Sequence, residues 1–171
     1  MNILNFEFKA KTDNIEKAEK KLLELDPRFA GEDLQTDTYF NVNNGRLKLR
    51  EGNIENALIH YERENTPNAK QSRVLLYKHD PDKSLKDILT RSLGIKVIVS
   101  KKRKIYFIDN IKFHFDSIKE LGTFIEVEAI SENGKFSPEE LKDQCDKYMV
   151  FFEIKSTDFM SLSYSDLLLK S

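Results

Sequence analysis

Five short stretches of this chain set two ionisable residues two positions apart with mostly apolar residues between them: Glu7 and Lys9, Lys48 and Arg50, Lys101 and Arg103, His114 and Asp116, and Glu126 and Glu128. In an extended strand residues i and i+2 share a face, so each stretch presents charge on one side. Any one pair suits the wet face of an open sheet. Together, and mixed in sign, they suit an enclosed interior, because a sheet with enough strands closes on itself and its lumen can hold ligand and water. Lys9, Lys48, Arg50, Lys101 and Arg103 would supply fixed cations, arginine as a fork onto phosphate oxygens and lysine as a point charge. Glu7, Asp116, Glu126 and Glu128 would supply the hard oxygen ligands taken by Mg2+ or Mn2+, with substrate phosphate completing the sphere. A metal polyphosphate needs both halves.

The elements that must position these residues are legible in the periodicity. Leu4, Phe6, Phe8 and Ala10 alternate with Asn5, Glu7, Lys9 and Lys11, which predicts a first strand. A helix follows from Asp13, with Asp13 as cap, Glu16 completing a capping box, and Ile15, Ala18, Leu22 and Leu25 as its apolar stripe. Asn43-Asn44-Gly45 predicts a hairpin turn between strands over 37–42 and 46–51. Further strands are predicted over 57–63 and 72–78, joined by a loop over 64–70, and then a short helix over 84–93 that ends at Gly94. Strands over 95–108, 112–118 and 124–130 follow, with short links that favour antiparallel order. Ser137-Pro138-Glu139-Glu140 opens a helix with proline at its first position, and the tail over 159–169 reads as an amphipathic helix. The sum is one α+β domain over 1–171, a closed eight-stranded antiparallel barrel with flanking helices.

Charged residues make up 33% of the 171 residues, yet the formal net charge is −1, so no bulk field draws the protein to nucleic acid or to an anionic membrane. The basic run Lys101-Lys102-Arg103-Lys104 does not alter this, because alternation sends Lys102 and Lys104 to the opposite face from Lys101 and Arg103. The lone Cys145 excludes an internal disulfide, and His60, His79 and His114 are too scattered for a zinc site. The N-terminus has no signal-type apolar run and no stretch approaches a membrane span, which predicts a cytoplasmic protein.

The ordered motifs resemble those of the CYTH family of adenylyl cyclases and triphosphatases. Asn5-Phe6-Glu7-Phe8-Lys9 resembles its N-terminal Glu-x-Glu-x-Lys signature, and the stretch from Asp37 through Gly45-Arg46-Leu47-Lys48-Leu49-Arg50-Glu51 is similar to the hairpin of the class IV adenylyl cyclase branch. Tyr61-Glu62-Arg63, Ser72-Arg73, Lys101-Lys102-Arg103, His114-Phe115-Asp116, Phe124-Ile125-Glu126-Val127-Glu128 and Ser163-Tyr164-Ser165-Asp166-Leu167 follow in the family order. The resemblance implies a triphosphate tunnel with a divalent metal, Mg2+ or Mn2+. By position it makes Glu7, Glu126 and Glu128 metal carboxylates, with Asp116 a further ligand or an orienting group. It gives the phosphates to Lys9, Lys48, Arg50, Arg63, Arg73, Lys101 and Arg103; Lys9, beside the metal carboxylates, is also the candidate catalytic residue, to orient or deprotonate the nucleophile. Conversion of ATP to 3′,5′-cyclic AMP and pyrophosphate is the favoured reaction. Hydrolysis of tripolyphosphate, thiamine triphosphate or a nucleotide is the alternative, and a binding module without turnover is a third. Asn5 departs from the signature, which has glutamate there, and so removes a charge from the metal side. A monomer and a homodimer are both compatible with the apolar tail.

Overall fold

The computed structural model describes residues 2–63 and 69–171. Eight strands form its centre: β1 (Asn2–Lys11), β2 (Arg28–Phe40), β3 (Arg46–Glu51), β4 (Ala57–Arg63), β5 (Lys70–Lys78), β6 (Ile95–Ile108), β7 (Ile111–Ile118) and β8 (Gly122–Glu132). They pair in the order β1-β5-β4-β3-β2-β6-β7-β8, every pair antiparallel, and β8 returns to β1 to close the barrel. Four helices flank it, α1 (Ile15–Leu23), α2 (Lys83–Leu93), α3 (Pro138–Phe151) and α4 (Tyr164–Lys170), with a 3-10 turn at Ser156–Asp158. None of the described helices is long and apolar enough to cross a membrane.

Both faces of β1 are used. Phe6, Phe8 and Ala10 point outward and are buried, the two phenylalanines packing with Phe113, Phe115 and Val127 beneath Leu22 of α1 and Leu141, Cys145 and Tyr148 of α3. Burial of each such large apolar side chain contributes roughly 1.5–3 kcal/mol. Because the apolar core lies outside the barrel wall on this side, Asn5, Glu7 and Lys9 are left to the lumen. The outer face of the neighbouring strand β5 is barer, and its Leu75 and Tyr77 are exposed.

Several element boundaries differ from the sequence expectation, each for a local reason. The cap of α1 is Asn14, whose side chain accepts from Lys17 N, so Asp13 does not cap. β2 begins nine residues earlier than expected, at Arg28, since its first half is polar on the inner face and carries no apolar alternation. β5 starts at Lys70, a residue expected in the preceding loop; the rest of that loop, 64–68, lies outside the described residues. The tail is helical only from Tyr164, because Phe159 pairs with Ala10 as an added bridge on β1. The α3 start is as expected, with Ser137 and Glu140 exchanging hydrogen bonds in a capping box.

Candidate functional site in the barrel lumen

The inner faces of the strands enclose a cavity of about 650 Å3. Register brings the charges together. Asp37 lies opposite Arg50 across the β2–β3 hairpin, Lys9 opposite Glu126 and Glu7 opposite Glu128 between β1 and β8, and Arg103 opposite Asp116 between β6 and β7. Ile3, Val74, Leu76, Phe107 and Ile130 line one end of the cavity. At the other end Tyr164 packs against Phe124, with ring centroids 5.0 Å apart. The charged belt lies between these two groups.

One part of the belt is a set of cations held by aspartates. Asp37 accepts from Lys48 at 3.1 Å, from Arg50 at 2.8 Å through two nitrogens, and from Lys101 at 2.8 Å. Burial alone would raise Asp37, but Arg50, Lys101 and Lys48 hold its carboxyl well below the usual range. Burial lowers Lys101 to about 7 against the pull of Asp37, and Arg103, Arg50 and Lys48 add to the lowering. Asp116 takes a two-point fork from Arg103 at 2.6 Å and a hydrogen bond from the Tyr164 hydroxyl at 2.7 Å. Glu55 ties Arg50 to Lys112. The Glu55 loop is in turn fixed by Asp33, which accepts from the backbone of Ile54 and Glu55. Gly52 permits this, since a Cβ there would come within 2.5 Å of Asp33 Oδ1.

The other part is a group of acids that face one another. Glu126, Glu128 and His114 each offer a ligand atom, all within 4.8 Å of one another. Burial opposes ionisation of Glu126, yet Lys9, 3.1 Å away, and Arg103 keep it well below the usual carboxylate range. Glu128 is pushed up to about 8 by burial and by the Glu126 charge. Burial holds His114 down to about 3, so it is neutral, and neither ring nitrogen has a hydrogen-bond partner among the described residues. Asn5 Oδ1 is likewise buried without a partner. Glu7 pairs with Arg63. A proton-holding acid beside an ionised one, with bare oxygen and nitrogen donors around them, is a donor set suited to a hard divalent cation.

The structure therefore brings Glu7, Lys9, Lys48, Arg50, Arg63, Lys101, Arg103, Asp116, Glu126 and Glu128 to one enclosed region. Arg73 is not among them. It lies on the outer face of β5, exposed and opposite Glu62, because the inner face of that strand is taken by Ser72, Val74 and Leu76. Asp37, Glu55 and Lys112 are lumen residues that the sequence reading missed. Asp37 had a signal: counting back from the Asn-Gly turn places it directly across from Arg50. Glu55 sits in a loop with no alternation, and nothing in the sequence marks it.

The sequence pattern of the CYTH domain family matches residues 4–154. No curated protein matches the chain. Among solved structures, a conserved hypothetical protein from Pyrococcus furiosus is similar with a TM-score of 0.81 and 22% identity, over 95% of this chain and 99% of that one. A candidate adenylate cyclase from Vibrio parahaemolyticus has a TM-score of 0.79 at 16% identity, over 97% and 98%. A candidate adenylyl cyclase from Hippeastrum, described as having a dominant triphosphatase activity, has a TM-score of 0.65 at 12% identity, over 99% and 96%. At these identities the likeness is one of fold.

Proposed function

The chain belongs to the CYTH domain family, and we propose that its lumen binds a divalent-metal triphosphate and carries out phosphoryl transfer on it, with ATP to 3′,5′-cyclic AMP and pyrophosphate as the favoured reaction. The observation that carries this reading is the division of one buried lumen into a cation belt and an adjoining acid group with unpartnered donors.

Lys48, Arg50, Lys101, Arg103 and Arg63 would hold the nonbridging phosphate oxygens. They stand ready in that role because Asp37, Asp116 and Glu7 fix their positions. Glu126, Glu128 and Glu7 would hold Mg2+ or Mn2+, which when bound supplies Lewis-acid stabilisation of phosphate charge. Asp116 fits the orienting role, since Arg103 and Tyr164 already occupy its oxygens. Lys9, between Glu126 and the Tyr164 ring, is placed for electrostatic work on the reacting phosphate.

On β8 the acids Glu126 and Glu128 precede Ile130, so they adjoin the end lined by Ile3, Leu76 and Phe107. A nucleoside seated against these apolar side chains would bring its α-phosphate to the acid group. This arrangement favours attack by the ribose 3′-hydroxyl over attack at the terminal phosphate. Water attacking the terminal phosphorus would make the protein a triphosphatase, the activity described for the Hippeastrum protein of the same fold. Asn5, neutral where the family signature has an acid, favours the third reading of a binder without turnover.

Incubation with Mg2+ or Mn2+ and either ATP or tripolyphosphate, followed by product separation, tests the reading. Cyclic AMP with pyrophosphate is the expected result. Orthophosphate moves the assignment to hydrolase. Binding without turnover, reversed by Asn5→Glu, marks a weakened metal side, whereas no binding of either triphosphate overturns the reading altogether.

A further inference from the structure

The chain after α3 returns across one mouth of the barrel and delivers a side chain to the charged belt. Met160 N donates to the Lys9 carbonyl at 2.9 Å, Lys70 Nζ donates to the Met160 carbonyl at 3.3 Å, and Arg46 meets Asp166 at 2.9 Å. The segment is thereby tied to β1, β5 and β3. Between these ties Tyr164 is inserted with 4% exposure. Its hydroxyl donates to Asp116, the same carboxylate that Arg103 forks. Its ring lies 3.6 Å from the Lys9 ammonium, a cation–π distance, while that ammonium is 3.1 Å from Glu126. Arg103 reaches Glu126 as well, at 3.4 Å. One side chain of the tail thus touches, directly or through Asp116, both cations that flank Glu126. A plain plug would need no hydroxyl at this point.

We propose that Tyr164 is a positioning residue of the lumen: its ring sets the Lys9 ammonium, and its hydroxyl, through Asp116, sets the Arg103 guanidinium, so that both cations meet one triphosphate. The inference rests on the triphosphate reading above. Its physical basis is preorganisation, since long cationic side chains fixed before the ligand arrives do not charge their ordering to the binding step.

Two variants separate the two contacts. Tyr164→Phe keeps the ring and removes the hydroxyl; Tyr164→Leu removes both. Without any ligand, the lysine Cε–Hε signals of Lys9 should show an upfield ring-current shift in the wild type and in Tyr164→Phe, and lose it in Tyr164→Leu. With Mg2+ and tripolyphosphate, calorimetry should give about tenfold weaker binding for Tyr164→Phe, the loss of a hydrogen bond to a charged group. Tyr164→Leu should be weaker again by roughly threefold to tenfold. Adding Lys9→Met should cost less in the Leu background than in the Phe background, by the same roughly threefold to tenfold that loss of the ring costs. Thermal melts run in parallel keep a folding defect from being read as a binding one. A Tyr164→Phe protein that binds tripolyphosphate like the wild type overturns the Arg103 half, and an unshifted wild-type Lys9 signal overturns the Lys9 half. A wild type that shows the shift yet binds no tripolyphosphate overturns the triphosphate reading instead, and the role of Tyr164 falls with it for that separate reason.

Discussion

The two parts of the lumen satisfy their charges in opposite ways. Around Asp37 and Asp116 every cation named has an acceptor within 3.1 Å, and each aspartate is surrounded by donors. Around Glu126 and Glu128 two acids face each other, and among the described residues His114, with Nδ1 3.6 Å from Glu126, and Asn5 Oδ1 make no hydrogen bond. The first arrangement is complete as folded and can receive an anion by sharing donors. The second is incomplete as folded, and a cation would complete it. A buried ion pair is costly to break because the survivor is left uncompensated, whereas removing one of two repelling acids relieves the fold.

That contrast can be broken from either side. The largest effect is expected from Asp37→Asn, which leaves Lys48, Arg50 and Lys101 without their carboxylate. Urea unfolding should show a loss of about 3–5 kcal/mol, and tripolyphosphate should restore more stability to the variant than it adds to the wild type. Glu128→Gln should act the other way, melting at or above the wild-type temperature while turnover falls by at least about a hundredfold, the scale of losing one preorganised electrostatic group. Its melting temperature should also stop responding to Mg2+.

A smaller effect comes from pH. Lys101 is lowered to about 7 in the fold, so between about pH 7 and the ordinary lysine range near 10.4 the unfolded chain binds more protons and stability rises with pH. Affinity for tripolyphosphate should move in the opposite sense, falling as pH rises through 7, because the anion needs the protonated amine. Lys101→Arg should flatten that affinity profile. The smallest effect is expected at Arg73, which lies outside the barrel: Arg73→Ala should change neither tripolyphosphate affinity nor stability beyond about 0.5 kcal/mol.

The same contrast explains how far the sequence could be read. Alternation exposed the inner faces of β1, β3, β7 and β8, where the other face is mostly apolar, and on β6 it separated the inner Lys101 and Arg103 from the outer Lys102 and Lys104. Arg73 is assigned by resemblance and not by alternation; Gln71, Arg73 and Leu75 form an exposed outer face of β5, where polarity does not tell inside from outside. The acceptors were harder to see than the cations. Asp37 lies in a predicted strand, but it begins that strand with no charged partner two positions away on the same face, since Gln35 and Tyr39 flank it there, so it does not stand out as a lumen residue. Glu55 is placed by Asp33 through a tertiary contact between loop and strand. Tyr164 was visible as a family-like motif, but its contact with Asp116, 48 positions earlier, depends on how the tail crosses the barrel mouth.

The central claim, that the lumen holds a triphosphate together with a divalent cation, is tested most directly by titrating tripolyphosphate into the purified protein by calorimetry, with Mg2+ and with EDTA. One site per chain that tightens at least tenfold with Mg2+, and loses that gain in Glu128→Gln, is the predicted result. Equal affinity with and without the metal, or no binding in either buffer, would contradict it.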